Sequence, residues 1–125
     1  MQDALSDRDQ IARVIDLYFA GMYHSRGEDI EASFHPNATV SGYRGGDLVE
    51  MGRDRFRDFV ASQPPPAENG EPFDMKIDSV ETRGRVAMVK VTDRYLNKLF
   101  TDLLLLLKTD EGWRIYNKVW HADPL

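Results

Sequence analysis

Residues 100–121 read FTDLLLLLKTDEGWRIYNKVWH, and the rest of the chain is organised around them. Two extended runs flank Thr109-Asp110-Glu111-Gly112, a polar cluster whose glycine can take a positive φ, the mark of an antiparallel hairpin. Five leucines in a row, residues 103–107, leave the first arm without a polar face, so it is expected at the middle of a sheet covered on both sides. The second arm alternates, with Trp113, Ile115, Asn117, Val119 and His121 on one face and Arg114, Tyr116, Lys118 and Trp120 on the other. If Thr109 pairs with Gly112, then Leu106 faces Ile115, Leu104 faces Asn117, Asp102 faces Val119 and Phe100 faces His121. That register brings Asp102, Asn117 and His121 to one face. A three-residue loop with a bulge at Gly112 would instead turn Asp102 to the other face.

The chain of 125 residues is long enough for one domain with a real core and too short for two, so residues 1–125 are read as a single unit. Its 42% hydrophobic and 30% charged content is that of a soluble globular protein. The opening MQDALSDRDQ is polar and acidic, unlike a signal peptide, and no stretch has the length of apolar sequence that spans a membrane. A cytoplasmic location is the expectation. With no cysteine there is no disulfide, thiolate metal site or cysteine nucleophile, and three unpatterned histidines (His24, His35, His121) do not suggest a metal site. A net charge of −5 with scattered cations argues against nucleic acid as a partner.

Upstream, Ser6 is positioned to cap a helix, with Asp7 and Asp9 in its first turn. Ile11, Val14, Ile15, Tyr18, Phe19, Met22 and Tyr23 then recur at helical spacing, predicting a helix over residues 7–25 that ends near Gly27. A short second helix over residues 28–34 is stopped by Pro36, and a short strand over residues 38–43 follows. Arg44-Gly45-Gly46-Asp47 makes a turn into a partner strand at residues 48–51, and residues 53–62 form a third helix with Phe56, Phe59 and Val60 inward. Residues 63–72, with four prolines, form a loop bending over one end of the domain. Strands over residues 73–82 and 86–98 precede the hairpin. Helices ahead of a meander of long strands mark an α+β domain. A sheet curved around the first helix leaves a cone with an open mouth.

This order, with the ending GWRIYNKVWH and an opening helix carrying LYFAGM followed by GEDIEASFHPNATV, resembles the nuclear transport factor 2-like superfamily. Within it the chain is most similar to the SnoaL-like and lumazine-binding-labelled bacterial proteins. The resemblance implies a cone-like (cystatin-like) fold, with a curved, mixed, mostly antiparallel sheet wrapped around the N-terminal helices. It also implies a homodimer paired through the outer sheet face, which would cover the second side of the leucine strand. Relatives include isomerases, dehydratases, cyclases and binding or scaffold proteins, so the fold leaves activity open.

Asp102 is the principal candidate, because a carboxylate inside an apolar strand is costly unless paired, and desolvation suits it to proton transfer. Its bland alternative is a wetted strand end. His121, beside it in the favoured register, completes a proton-transfer pair or is a solvated terminal histidine. Asn117 is expected to face inward and orient a ligand carbonyl, or to bond across the sheet. Tyr18 is an oxyanion donor or a core residue. Phe34 and His35, in the family-typical FHPNA segment, are expected near the cone mouth, with capping of the second helix the alternative for His35. Asp93 belongs to a face running from apolar to polar, as pocket lining or as a solvated rim residue. The catalytic pattern of the isomerases does not map onto these positions residue by residue. No phosphate loop, serine elbow or metal-ligand spacing is present in the sequence, and no cofactor is expected.

The expectation is therefore a pocket for a small apolar or aromatic molecule, bounded by the first helix, the FHPN segment and the inner face of the last strands. The alternatives are a cofactor-independent isomerase, dehydratase or cyclase using Asp102 and His121, and a dimeric interaction module using the Arg114, Tyr116, Lys118 and Trp120 face.

Overall fold

Ser6 opens the first helix as expected, its Oγ accepting from the Asp9 amide at 3.1 Å, in a computed structural model that describes residues 6–125. Helix α1 spans Asp7–Tyr23, and its stripe of Ile11, Ile15, Tyr18, Phe19 and Met22 is buried. Full burial of one such side chain is worth about 1.5–3 kcal/mol, so the stripe fixes the helix across the sheet. Asp7 ties its N-terminus to the far hairpin, accepting from Lys108 Nζ at 2.8 Å and Trp113 Nε1 at 3.1 Å. Helix α2 spans Gly27–Ser33 and α3 spans Arg53–Ser62.

The strands are β1 Phe34–Arg44, β2 Asp47–Gly52, β3 Met75–Arg83, β4 Val86–Tyr95, β5 Lys98–Thr109 and β6 Gly112–Pro124. They form one sheet in the order β2-β1-β6-β5-β4-β3. Every neighbouring pair is antiparallel except β1 with β6, which is parallel. This is the expected α+β cone of the cystatin-like kind. The helices cover the inner face, and the core joins α1 to Val89, Val91, Leu104, Leu106, Trp113 and Ile115 of the sheet.

Most boundaries shift by a residue or two, α1 ending at Tyr23 and β3 starting at Met75, and three segments differ more from the sequence reading. Strand β1 starts at Phe34, so Pro36 lies inside it rather than in a turn before residue 38. The loop at residues 63–72 contains a single 3₁₀ turn, Pro66–Glu68, and is pinned to the end of α1 by Tyr23 Oη donating to the Glu71 carbonyl at 2.8 Å. Strand β4 stops at Tyr95, because Leu96 and Asn97 both take positive φ (52° and 60°) and reverse the chain in two residues. That conformation suits the twist of a hairpin and is tolerated by asparagine, but leucine gives no sign of it.

The decisive difference lies in β6. Thr109 pairs with Gly112 and Leu106 with Ile115, as expected, but the register then shifts so that Leu105 pairs with Asn117, Leu104 with Lys118 and Asp102 with Trp120. Tyr116 is the extra residue of a bulge, and everything beyond it changes face. Lys118 and Trp120 turn inward, whereas Asn117, Val119 and His121 turn outward. The leucine strand is covered on one side only in the single chain. Leu104 and Leu106 are buried, while Leu103 and Leu105 are about half exposed at 50% and 49%.

Candidate functional site

Two short connections determine what meets inside the sheet. The two-residue turn at Leu96–Asn97 pairs Val91 with Asp102 and Asp93 with Phe100, which makes Asp93 and Asp102 diagonal neighbours on the inner face. The bulge at Tyr116 brings Lys118 beside them. Asp93 and Asp102 are both fully buried and Lys118 is 4% exposed.

Tyr18 from α1 donates to Asp102 Oδ2 at 2.7 Å, and Lys118 Nζ approaches the same oxygen at 3.9 Å, close enough for an ion pair but too long for a direct hydrogen bond. The ammonium lies over the rings of Tyr18 and Phe56, 4.9 and 4.5 Å from their centroids, where the π faces attract a cation. Burial, and after it the charge of Asp102, push the Asp93 carboxyl well above the usual carboxylate range. As a carboxylate, Asp93 has no donor to either oxygen among the described residues. Protonated, it donates to Asp102. Raising the Asp93 carboxyl avoids setting a second full negative charge beside Asp102. Burial and Asp102 likewise raise the Tyr18 hydroxyl, which stays a neutral donor.

This cluster forms the floor behind a cavity of about 290 Å³ at the mouth of the cone, at the small end of ligand cavities. One wall is aromatic: Tyr95, Phe100 and Trp120 lie on adjacent strands, with ring centroids 6.2 Å apart for the first pair and 5.7 Å for the second. Phe56 and Phe59 of α3 form the opposite side, and Val40, Val49 and Met51 of the β1–β2 hairpin close a third. Gly42 is required here, since a methyl group at that position would overlap the Trp120 indole. Of the buried cluster only Lys118 lines the cavity, joined by the buried Tyr95, whose hydroxyl has no partner among the described residues.

The candidate residues divide accordingly. Asp102, Tyr18 and Asp93 come together, with Tyr18 spending its hydroxyl on Asp102. Asp93 is in the core, not at a solvated rim. His121 is on the outer face, paired with Asp123 at 2.9 Å and largely exposed, so it does not meet Asp102. Asn117 also faces out and donates to Thr39 Oγ1 at 2.6 Å, bonding across the sheet. Phe34 is core, its ring edge-on to Tyr18 at 5.6 Å. His35 lies at the hairpin end, away from the mouth, where its Nδ1 accepts from the Asn37 amide at 3.0 Å and its ring meets Tyr116. The cavity boundary is corrected as well: α3 and the β1–β2 hairpin line it, whereas α1, the FHPN segment and the loop at residues 63–72 do not. Lys118 was missed because uninterrupted alternation put it on the outer face with Arg114, Tyr116 and Trp120.

A larger, open hollow of about 600 Å³ lies on the outer sheet face, lined by Val86, Met88, Leu105 and Leu107 among others. It holds none of the buried titratable groups. No described helix is long and apolar enough to cross a membrane.

Comparison with known proteins agrees with the fold. Aldolase FrzH of Cladobotryum sp. is 25% identical, with 95% of this chain matched to 94% of that one. A solved nuclear transport factor 2-like protein of Methylobacillus flagellatus KT is 32% identical over 98% of this chain and 96% of its own, with a TM-score of 0.85. Another from Shewanella baltica OS155, 20% identical, covers all of both chains at a TM-score of 0.87. The family model described as "Putative lumazine-binding" matches residues 6–121. With nearly the whole chain matched, this protein belongs to that lumazine-binding family within the nuclear transport factor 2-like superfamily.

Proposed function

We propose that the chain binds a small, largely apolar aromatic molecule in the mouth of the cone, with Lys118 and Tyr95 addressing its polar group. Asp102, Tyr18 and Asp93 hold Lys118 from behind. One observation carries this reading: an aromatic-walled cavity is lined by the buried Lys118, whose ammonium is ion-paired to Asp102 at 3.9 Å without a direct hydrogen bond, and by Tyr95, whose hydroxyl is buried without a hydrogen-bond partner among the described residues. Such groups are costly to leave unpaired and gain partners from a ligand. The lumazine-binding description of the family fits a flat heteroaromatic ring between Phe56 and the Tyr95–Phe100–Trp120 wall.

A second reading, cofactor-independent isomerase, dehydratase or cyclase chemistry, is favoured by the buried, raised Asp93 carboxyl beside the buried Asp102 and by the likeness to an aldolase. Against it, Asp102 does not line the cavity, so a proton would have to pass through Lys118 or Tyr18. The homodimer is also part of the proposal, since Val86, Met88, Leu103, Leu105 and Val119, each about half exposed, make one apolar patch on the outer sheet face.

The test is a screen of aromatic compounds read at the Trp120 indole, followed by Asp102→Asn on any compound that is bound or converted. Binding retained with no turnover in either protein supports a binding role. Turnover in the wild type that Asp102→Asn abolishes while binding persists supports the enzymatic reading. Absence of any response at Trp120 contradicts both.

A further inference from the structure

The charge around the mouth is opposite to that of the protein. The chain carries a net −5, yet the cavity is lined by three cations, Arg44, Lys98 and Lys118, and by no aspartate or glutamate. Arg44 ends β1 and Lys98 begins β5, so both stand exposed at the rim, and neither pairs with a carboxylate among the described residues. Lys118 stands at the floor. Asp102 lies 3.9 Å from it, too far for a direct hydrogen bond, so no acceptor among the described residues takes a hydrogen bond from the ammonium.

From this we infer that the ligand is a planar aromatic acid bound as its anion, with its ring against the Trp120 wall and its anionic group turned to Lys118. The inference rests on the proposed binding role and deepens it by naming the ligand's chemistry. A cation entering would meet three like charges. A neutral ring would fill the slot but leave the ammonium with donors unmet. An anion satisfies both, and the rim cations of a cleft with low-dielectric walls concentrate it from solution despite the overall negative charge.

The matched pair 2-naphthoate and 2-naphthamide separates charge from shape. Each is titrated into the full chain and followed by ¹H–¹⁵N spectra, in which the protein's two tryptophan indoles report opposite ends of the cone. Trp120 lines the mouth, and Trp113 is hydrogen-bonded to Asp7 at the other end. Both probes are expected to move the Trp120 signal, with naphthoate binding at least tenfold tighter and losing that advantage as salt rises. Lys118→Met should reduce the preference to less than twofold, with the Trp113 signal unmoved as the check on fold. Should that variant not fold, the Arg44→Gln/Lys98→Gln double variant serves instead, and it should lower naphthoate affinity severalfold while sparing the amide. An amide that binds as well as the acid in the wild type overturns the anion while leaving the pocket intact. Neither probe moving Trp120 overturns both.

Discussion

The β5–β6 hairpin behaves as two different structures on either side of Tyr116. On the turn side, Thr109 meets Gly112 and Leu106 meets Ile115, and simple alternation reads which side chains are buried. On the mouth side, one extra residue has exchanged the faces, so Lys118 and Trp120 look into the cone and Asn117, Val119 and His121 look out. The same strand thus carries an ordinary core at one end and a buried ammonium at the other. A single inserted residue alters no local propensity, yet it decides which ionisable group meets Asp102.

The most disruptive way to break that contrast is Asp102→Ala, which leaves the Lys118 ammonium and the Tyr18 hydroxyl buried without their shared partner. It should cost about 3–5 kcal/mol in a urea melt.

Smaller and dependent on pH is Asp93→Asn. Because the folded Asp93 carboxyl is raised, the native state holds a proton that the unfolded chain releases, so this residue costs stability progressively as pH climbs from the unfolded carboxylate value of about 4 toward its folded one. The amide cannot ionise and still has a donor for Asp102. The variant should therefore match the wild type near pH 4 and gain on it at pH 6 and pH 8 in thermal melts. Smallest of all is His121→Ala on the outer face, expected within about 0.5 kcal/mol of the wild type.

Much of the fold was legible because it follows from repeating patterns. The buried stripe from Ile11 to Met22, the Ser6 cap, helix α3 at Arg53–Ser62 and the Thr109–Gly112 turn are each fixed by local chemistry. Asp102 was legible too, since a charge amid leucines has to be explained. Its partners were less so. The Leu96–Asn97 turn, which brings Asp93 to Asp102, offers only Asn97 as a sign, and the Tyr116 bulge offers none, lacking a glycine. Strand register beyond such points is set by packing of the whole sheet, here by an indole laid against Gly42 and an ammonium laid over Tyr18 and Phe56.

Lys118, not His121, occupies the interior beside Asp102. Nuclear Overhauser contacts from the Lys118 side-chain methylenes test it most directly. Contacts to the rings of Tyr18 and Phe56 are expected, with the Lys118 ε-methylene shifted upfield by those rings and no contact from the His121 ring to Asp102. Lys118 methylenes at solvent-like shifts, with His121 ring contacts to Asp102 or Phe100, would contradict it.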